Sequence, residues 1–205
     1  MVCQLPHMPS WAHQFVGEVL AEGDLAVDLT AGRGKDTLFL SRCVGPSGQV
    51  LAFDIQRQAL QTSQQALLEA GITAPVLEAG AVLPVSQPGV CLIHDSHAHV
   101  GRYLAQFSRP PRAFMANLGY LPGGDAAVTT QGDSTLAAVE AALAALAVGG
   151  RLALVLYIGH PEGRKEATLL SQRFSQLSAR QWYVLKVETS NRQEAPFLLV
   201  AEKRR

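Results

Sequence analysis

Apolar residues fall into short aliphatic runs that alternate with stretches of helical spacing. The runs are LAVDLT (25–30), QVLAFD (49–54), VCLIHD (90–95), RAFMANL (112–118) and RLALVLYIG (151–159). Strands alternating with helices predict an α/β fold with helices on both faces of a mostly parallel sheet. Ser10 is placed to cap a first helix whose apolar face is Trp11, Phe15, Val16, Val19 and Leu20, with Gly23 ending it. Further helices are predicted over 36–44, 55–71, 97–107, 134–150 and 164–179. Residues 72–89 carry three prolines, which predicts a loop holding one short strand. GHPEG (159–163) reads as a turn. WYVLKVETS (182–190) and PFLLVAEKR (196–204) close the chain as two strands of an antiparallel hairpin. With no repeat or linker, residues 1–205 read as one domain.

Composition narrows the classes. In 205 residues, 48% are hydrophobic and 17% charged, which fits a packed core and excludes disorder. No apolar run reaches the roughly 20 residues a membrane helix needs. The N-terminus lacks a basic flank before an apolar stretch, so no secretory signal is expected. Cys3, Cys43 and Cys91 are odd in number and scattered, which points to reduced thiols and a cytoplasmic protein.

Candidate chemistry starts at Asp28-Leu-Thr-Ala-Gly32-Arg-Gly34-Lys-Asp36, between the first strand and its helix. Glycines there let a ligand approach the backbone, and the helix beyond offers unpaired N–H groups. Asp54 ends the second strand 22 residues after Gly32, where a carboxylate takes ribose hydroxyls in nucleotide-binding α/β domains. Two ligands fit. A dinucleotide needs a third glycine where Thr37 stands, and its pyrophosphate would meet Asp28 and Asp36. S-adenosylmethionine carries an ammonium and a sulfonium, which an acid-bearing loop suits. Arg33 and Lys35 either offset the acids or hold the methionyl carboxylate.

The blocks VDLTAGRGKDTLFLS, GQVLAFDIQ, HDSH, NLGYLPGGD, GHPEG and PFLLVAEK, in this order, resemble the "putative rRNA methylase" family of small class I methyltransferases. The match covers roughly residues 11–203. The resemblance implies a Rossmann-like fold with a seven-stranded sheet, S-adenosylmethionine as cofactor, and methylation of the 5-aminomethyl group of a wobble 2-thiouridine in tRNA. The family more often has Gly-Asn-Gly where this chain has Gly32-Arg33-Gly34. Cofactor contacts are expected from Asp28, Thr30, Gly32, Arg33, Gly34, Asp36, Thr37, Asp54 and Gln56. Asp95, Ser96 and His97 are expected to line the adenine. His94, His97 and His99 crowd together as metal ligands would, but no metal is expected, since their order and lack of an acid do not complete a site.

Asn117-Leu118-Gly119-Tyr120 resembles the (D/N)-P-P-Y block of amino-methylating enzymes. That resemblance gives Asn117 the target amine and Tyr120 the base, as a stacking platform. An alkylamine must lose its proton to react, and Asp125, Tyr120 and His160 are the candidate acceptors.

Lys+Arg and Asp+Glu are 17 each, so the net charge is zero. That balance is a cancellation. Residues 1–100 hold four basic residues against nine acids, and residues 101–205 hold thirteen against eight. Arg102, Arg109 and Arg112 cluster in sequence, and Arg164, Lys165 and Arg173 fall on one predicted helix, with Arg180 next after its end. The basic half reads as a modest footprint for the anticodon region of a tRNA. The final hairpin is compatible with a homodimer.

Overall fold

A computed structural model describes residues 5–119 and 132–205. Helix α1 (Met8–Gly17) precedes strand β1 (Leu25–Asp28). Helix α2 (Lys35–Val44), β2 (Gln49–Asp54) and α3 (Arg57–Glu69) follow. Then come β3 (Val76–Glu78), β4 (Gly89–His94), a 3-10 turn at His97–His99 and α4 (Val100–Leu104). The chain continues through β5 (Ala113–Leu118), α5 (Gly132–Ala145), β6 (Arg151–Leu156), α6 (Pro161–Ser175), β7 (Trp182–Val187) and β8 (Phe197–Lys203).

The strands form one sheet in the order β3-β4-β2-β1-β5-β6-β8-β7. Six are parallel, and β8 runs antiparallel between β6 and β7. The expected hairpin forms, and β8 also joins it to the parallel sheet. The family resemblance implies seven strands and the residue pattern eight, the short strand within 72–89 included; the sheet has eight. That short strand is β3, three residues long, which pairs with β4 at the edge through Val76↔Leu92 and Glu78↔His94. Pro75 joins the pairing only through its carbonyl, which accepts from Leu92 N at 2.9 Å, and Pro84 and Pro88 lie beyond the strand, so no ladder N–H is lost.

Alternate side chains of each strand feed two apolar layers. One buries Val27, Phe53, Ile93 and Phe114 under α4, α5 and α6. The other buries Ala26, Val50, Ala52 and Met115 under α1, α2 and α3.

Two helix starts differ from the sequence reading. His7, not Ser10, caps α1, its Nδ1 accepting from Ser10 N at 3.4 Å. Helix α6 begins at Pro161, inside the segment read as a turn. His160 Nδ1 accepts from Gly163 N at 3.1 Å, and proline fits a first helical position because its missing N–H has no helical partner there. The buried face of α1 is Met8, Ala12 and Val16, with Trp11 and Phe15 only partly covered. Among the described residues no helix is long and apolar enough to cross a membrane.

Candidate active site

Parallel strands bring the C-terminal ends of β1, β2, β4 and β5 to one edge of the sheet, where α/β folds bind ligands. After Asp28 the chain turns through Gly32 (φ 52°) and Gly34 (φ 77°) into α2. Gly34 is needed for packing as well as for its φ. A Cβ there would stand 2.9 Å from the Ser63 Cα of α3, and Ser63 Oγ donates to Gly32 O at 3.0 Å. The glycine loop is thereby pressed onto α3.

Asp28 is fully buried beneath this loop. Its Oδ1 accepts from Thr30 N at 3.0 Å and its Oδ2 from Thr37 Oγ1 at 2.6 Å. Burial, aided by repulsion from Asp36, pushes its carboxyl up to about 7, although both hydrogen bonds pull the other way. Thr37 is itself fully buried and its hydroxyl is spent on Asp28. Asp54 Oδ2 accepts from Gly32 N and Oδ1 from Gln56 N, each at 2.9 Å. Burial raises its carboxyl, against the two backbone bonds. Asp54 therefore spans both sides of the crevice where a ribose would lie. Arg33 and Lys35 are exposed on the rim.

The chemistry of this set fits S-adenosylmethionine. Three acids, Asp28, Asp36 and Asp54, face one loop, and Asp28 is raised to about 7 chiefly by burial, with repulsion from Asp36 and Asp54 adding to it. A cationic ligand relieves that repulsion, whereas a pyrophosphate would add to it.

Beyond β4, Asp95 is engaged by its own neighbourhood. Ser96 N and His99 Nδ1 bond Oδ1 at 2.8 Å each, while Tyr103 OH donates to Oδ2 at 2.6 Å and Arg102 donates to the same oxygen. Burial would raise its carboxyl, but these bonds outweigh it and hold it at about 2. Tyr103 OH in turn accepts from Gly80 N at 2.9 Å, tying the segment after β3 to this turn. Ser96 Oγ caps the 3-10 turn by accepting from Ala98 N at 3.2 Å. His97 lies 3.5 Å from Thr135 Oγ1, which donates to the buried Glu166 of α6, and it bonds the Leu29 backbone. Burial lowers its imidazole, which favours the neutral ring. The three histidines do not converge. His94 turns to Glu78 and Ile55 O, His97 to Thr135, and His99 to Asp95.

At the end of β5, Asn117 N donates to Thr30 Oγ1 at 2.8 Å, joining the acceptor strand to the glycine loop. Asn117 Nδ2 donates to Asp36 Oδ2. Asn117 Oδ1 is buried with no hydrogen-bond partner among the described residues. Gly119 (φ 151°) follows, and a Cβ there would lie 3.1 Å from Tyr157 Cβ. Tyr157, after β6 and 37% exposed, supplies an aromatic wall, and burial of its ring together with Asp36 raises its phenol. Tyr120 and Asp125 lie outside the described residues. His160, the third candidate proton acceptor, uses Nδ1 as a helix cap.

The arginines require a correction. Arg109 donates to Gly23 O and to Gln49 Oε1, the latter at 2.6 Å. Arg112 bonds Val19 O at 3.1 Å and Val148 O at 2.7 Å. Both sit at the N-terminal edge of the parallel strands, opposite the glycine loop, and staple loops there. On α6, Arg164 pairs with Glu194 at 2.9 Å, Lys165 with Glu162 at 2.8 Å, and Arg173 with Glu140. Such exposed pairs are worth about 0–1 kcal/mol, so a phosphate can displace the acid at little cost.

Sequence reasoning missed His13, Tyr103, Thr135, Tyr157 and Glu166. Only Tyr103, eight residues after Asp95, had a partner nearby in sequence; His13, Thr135 and Glu166 meet theirs across 23 to 38 residues.

The family model for "Putative rRNA methylase" matches residues 50–203. The chain is 35% identical over 198 residues to a tRNA (mnm(5)s(2)U34)-methyltransferase, chloroplastic, of Arabidopsis thaliana, covering 94% of this chain and 68% of that one. It superposes on a crystal structure of a putative rRNA-methylase from Clostridium thermocellum with a TM-score of 0.85 at 29% identity, covering 98% and 100% of the two chains. A putative methyltransferase from Streptococcus mutans, solved with SAH, gives a TM-score of 0.80 at 32% identity over 98% and 99%.

Proposed function

The chain belongs to the "Putative rRNA methylase" family, and from that premise we propose that it N-methylates the 5-aminomethyl group of a wobble 2-thiouridine in tRNA. It is an S-adenosylmethionine-dependent methyltransferase with the class I fold. The observation that carries the finer reading is Asn117 Oδ1, a buried acceptor without a partner among the described residues, beside the donor loop. A buried carbonyl oxygen of this kind needs a donor, and an amine nucleophile supplies one. The Arabidopsis relative, whose name carries this nucleoside, supports the same substrate.

The bound cofactor supplies an activated methyl on a sulfonium leaving group. The chain then has to align, desolvate and deprotonate. Asp54 and Gln56 N fix one side of the crevice, and Gly32 N the other. Thr30 locks Asn117 to that loop, so donor and acceptor sides share one frame. Such orientation supplies on the order of 7–11 kcal/mol of the barrier. Asn117 Oδ1 accepts one amine hydrogen and turns the nitrogen lone pair toward the methyl carbon. Tyr157 walls the cleft, and Tyr120 is assigned the stacking of the base. Asp125 is assigned the proton that the amine must lose.

The anticodon stem would cross the rim that carries Arg33 and Lys35 and reach α6, exchanging the acid partners of its cations for phosphates. The free thiols of Cys43 and Cys91 and a tRNA substrate support a cytoplasmic location. Nucleoside mass spectrometry of tRNA from a deletion strain tests the substrate. The 5-aminomethyl nucleoside should accumulate and its methylated form disappear. An unchanged wobble nucleoside, with a change in ribosomal RNA instead, would move the substrate to ribosomal RNA.

Asp28 adds a pH signature. Its carboxyl sits at about 7 in the free protein, so below that pH it keeps a proton. That raised value favours folding at low pH, and the contribution is lost as pH rises from about 4 through about 7. A cation nearby favours the ionised form, so cofactor binding should expel the proton. Affinity for S-adenosylhomocysteine, which retains the ammonium, should climb between about pH 5 and about pH 7 and then level off. Calorimetry in buffers of different ionisation heat reads the proton directly. Absence of proton release at about pH 6 would remove Asp28 from cofactor binding.

A further inference from the structure

We propose that His13, on α1, is a positioning residue for the methyl-accepting side: acting through Asp36, it sets which end of the Asn117 amide faces the cleft. The inference rests on the role given to Asn117 above and names the device that orients it.

Asp36 is buried, and its two oxygens are divided between two elements. Oδ1 accepts from His13 Nε2 at 2.7 Å, and Oδ2 accepts from Asn117 Nδ2. A carboxylate only accepts, so it must meet the NH2 end of the amide and leave Oδ1 pointing away. Had the amide been reversed, two oxygens would face each other across a buried contact. The orphaned Asn117 Oδ1 is thus the counterpart of the Asp36 bond. Asp36 keeps this aim only while its own rotamer is held. His13 does that holding, and its ring is fixed in turn by stacking on Phe39, with centroids 4.0 Å apart and planes 2° from parallel.

Phe39 lies on α2, one turn beyond Asp36, and Val16 of α1 is buried in the core one helical turn past His13. The imidazole is therefore placed by two helices, and the carboxylate and amide follow. His13 bonds Asp36 and stacks on Phe39, so its route to the amide runs through Asp36. Without it, Asp36 Oδ1 loses its donor and the carboxylate can rotate, releasing the Asn117 amide.

The test uses His13→Ala and His13→Gln, since glutamine also presents an N–H at the end of a side chain. The first readout is the side-chain NH2 pair of Asn117 in a 15N-labelled protein, assigned by its loss in Asn117→Ala. One proton of the pair, bonded to a carboxylate, should be shifted downfield in the parent. In His13→Ala the two protons should converge, and in His13→Gln the parental pattern should return. The second readout is methyl transfer to undermodified tRNA. His13→Ala should lower kcat by about tenfold or more, with KM for S-adenosylmethionine and affinity for S-adenosylhomocysteine held within about twofold, and His13→Gln should recover most of it. An unchanged Asn117 amide in His13→Ala overturns the proposal, as does an equal loss in both variants. Full turnover in Asn117→Ala would instead overturn the reading of Asn117, and the two failures are separable.

Discussion

Asp54→Ala should remove measurable affinity for S-adenosylhomocysteine while leaving a folded protein. Asp54 is the acid that closes the crevice between β2 and the glycine loop, where it holds Gly32 N and Gln56 N at 2.9 Å each. A ribose would bring two hydroxyl donors to the same carboxylate. Hydrogen bonds to a charged partner are worth about 1.5–3 kcal/mol each, so losing two weakens binding by about 10²- to 10⁴-fold. The loop also loses its tether, which adds to the effect. Calorimetric titration against the parent measures it, with the thermal midpoint as the check on folding. Asp54→Asn keeps one acceptor oxygen and should fall between the two. Affinity within about threefold of the parent in Asp54→Ala would mean that the ribose lies elsewhere.

Asn117→Ala should separate binding from chemistry. The variant keeps its backbone bond to Thr30 Oγ1, so the cofactor loop stays in place and affinity for S-adenosylhomocysteine should stay within about twofold of the parent. Turnover should fall by about a hundredfold or more, because the amine loses the acceptor that orients it and a misaligned nucleophile costs that much. Some stability is lost as well. Asp36 Oδ2 is left buried without its donor, a penalty of about 1–3 kcal/mol that a thermal melt will register. Comparable losses in binding and turnover would make Asn117 a structural residue.

The frame of this site was legible because it is local. A β-branched run, two glycines and an acid at the next strand end are all sequence-near signals, and β2 and the Asp28–Asp36 turn lie where the pattern placed them. The short strand β3 was legible as an element. Its place in the sheet was not, because pairing with β4 is a long-range fact. The partners of the site were less visible still. His13 reaches Asp36 across 23 residues, and Thr135 reaches Glu166 across 31. No periodicity encodes such pairs. The charge split misled for a related reason. Arg109 and Arg112 lie close to Asn117 in sequence, yet a parallel strand puts its two ends on opposite edges of the sheet, so they point at Gly23 and Val19 rather than at the cleft.

Helix α1 carries a burden of timing. Its apolar face of Met8, Ala12 and Val16 packs on β5, β6 and β8, and Phe15 O is bonded by Arg151, 136 residues further along the chain. During synthesis on the ribosome, that face has nothing to bury against until those strands emerge. Such distant pairing slows folding and leaves apolar surface open to chaperones or to aggregation. The His13–Asp36 contact is made by the same helix. The aim of Asn117 therefore waits on the same late strands, and competence to methylate is among the last properties a nascent chain acquires.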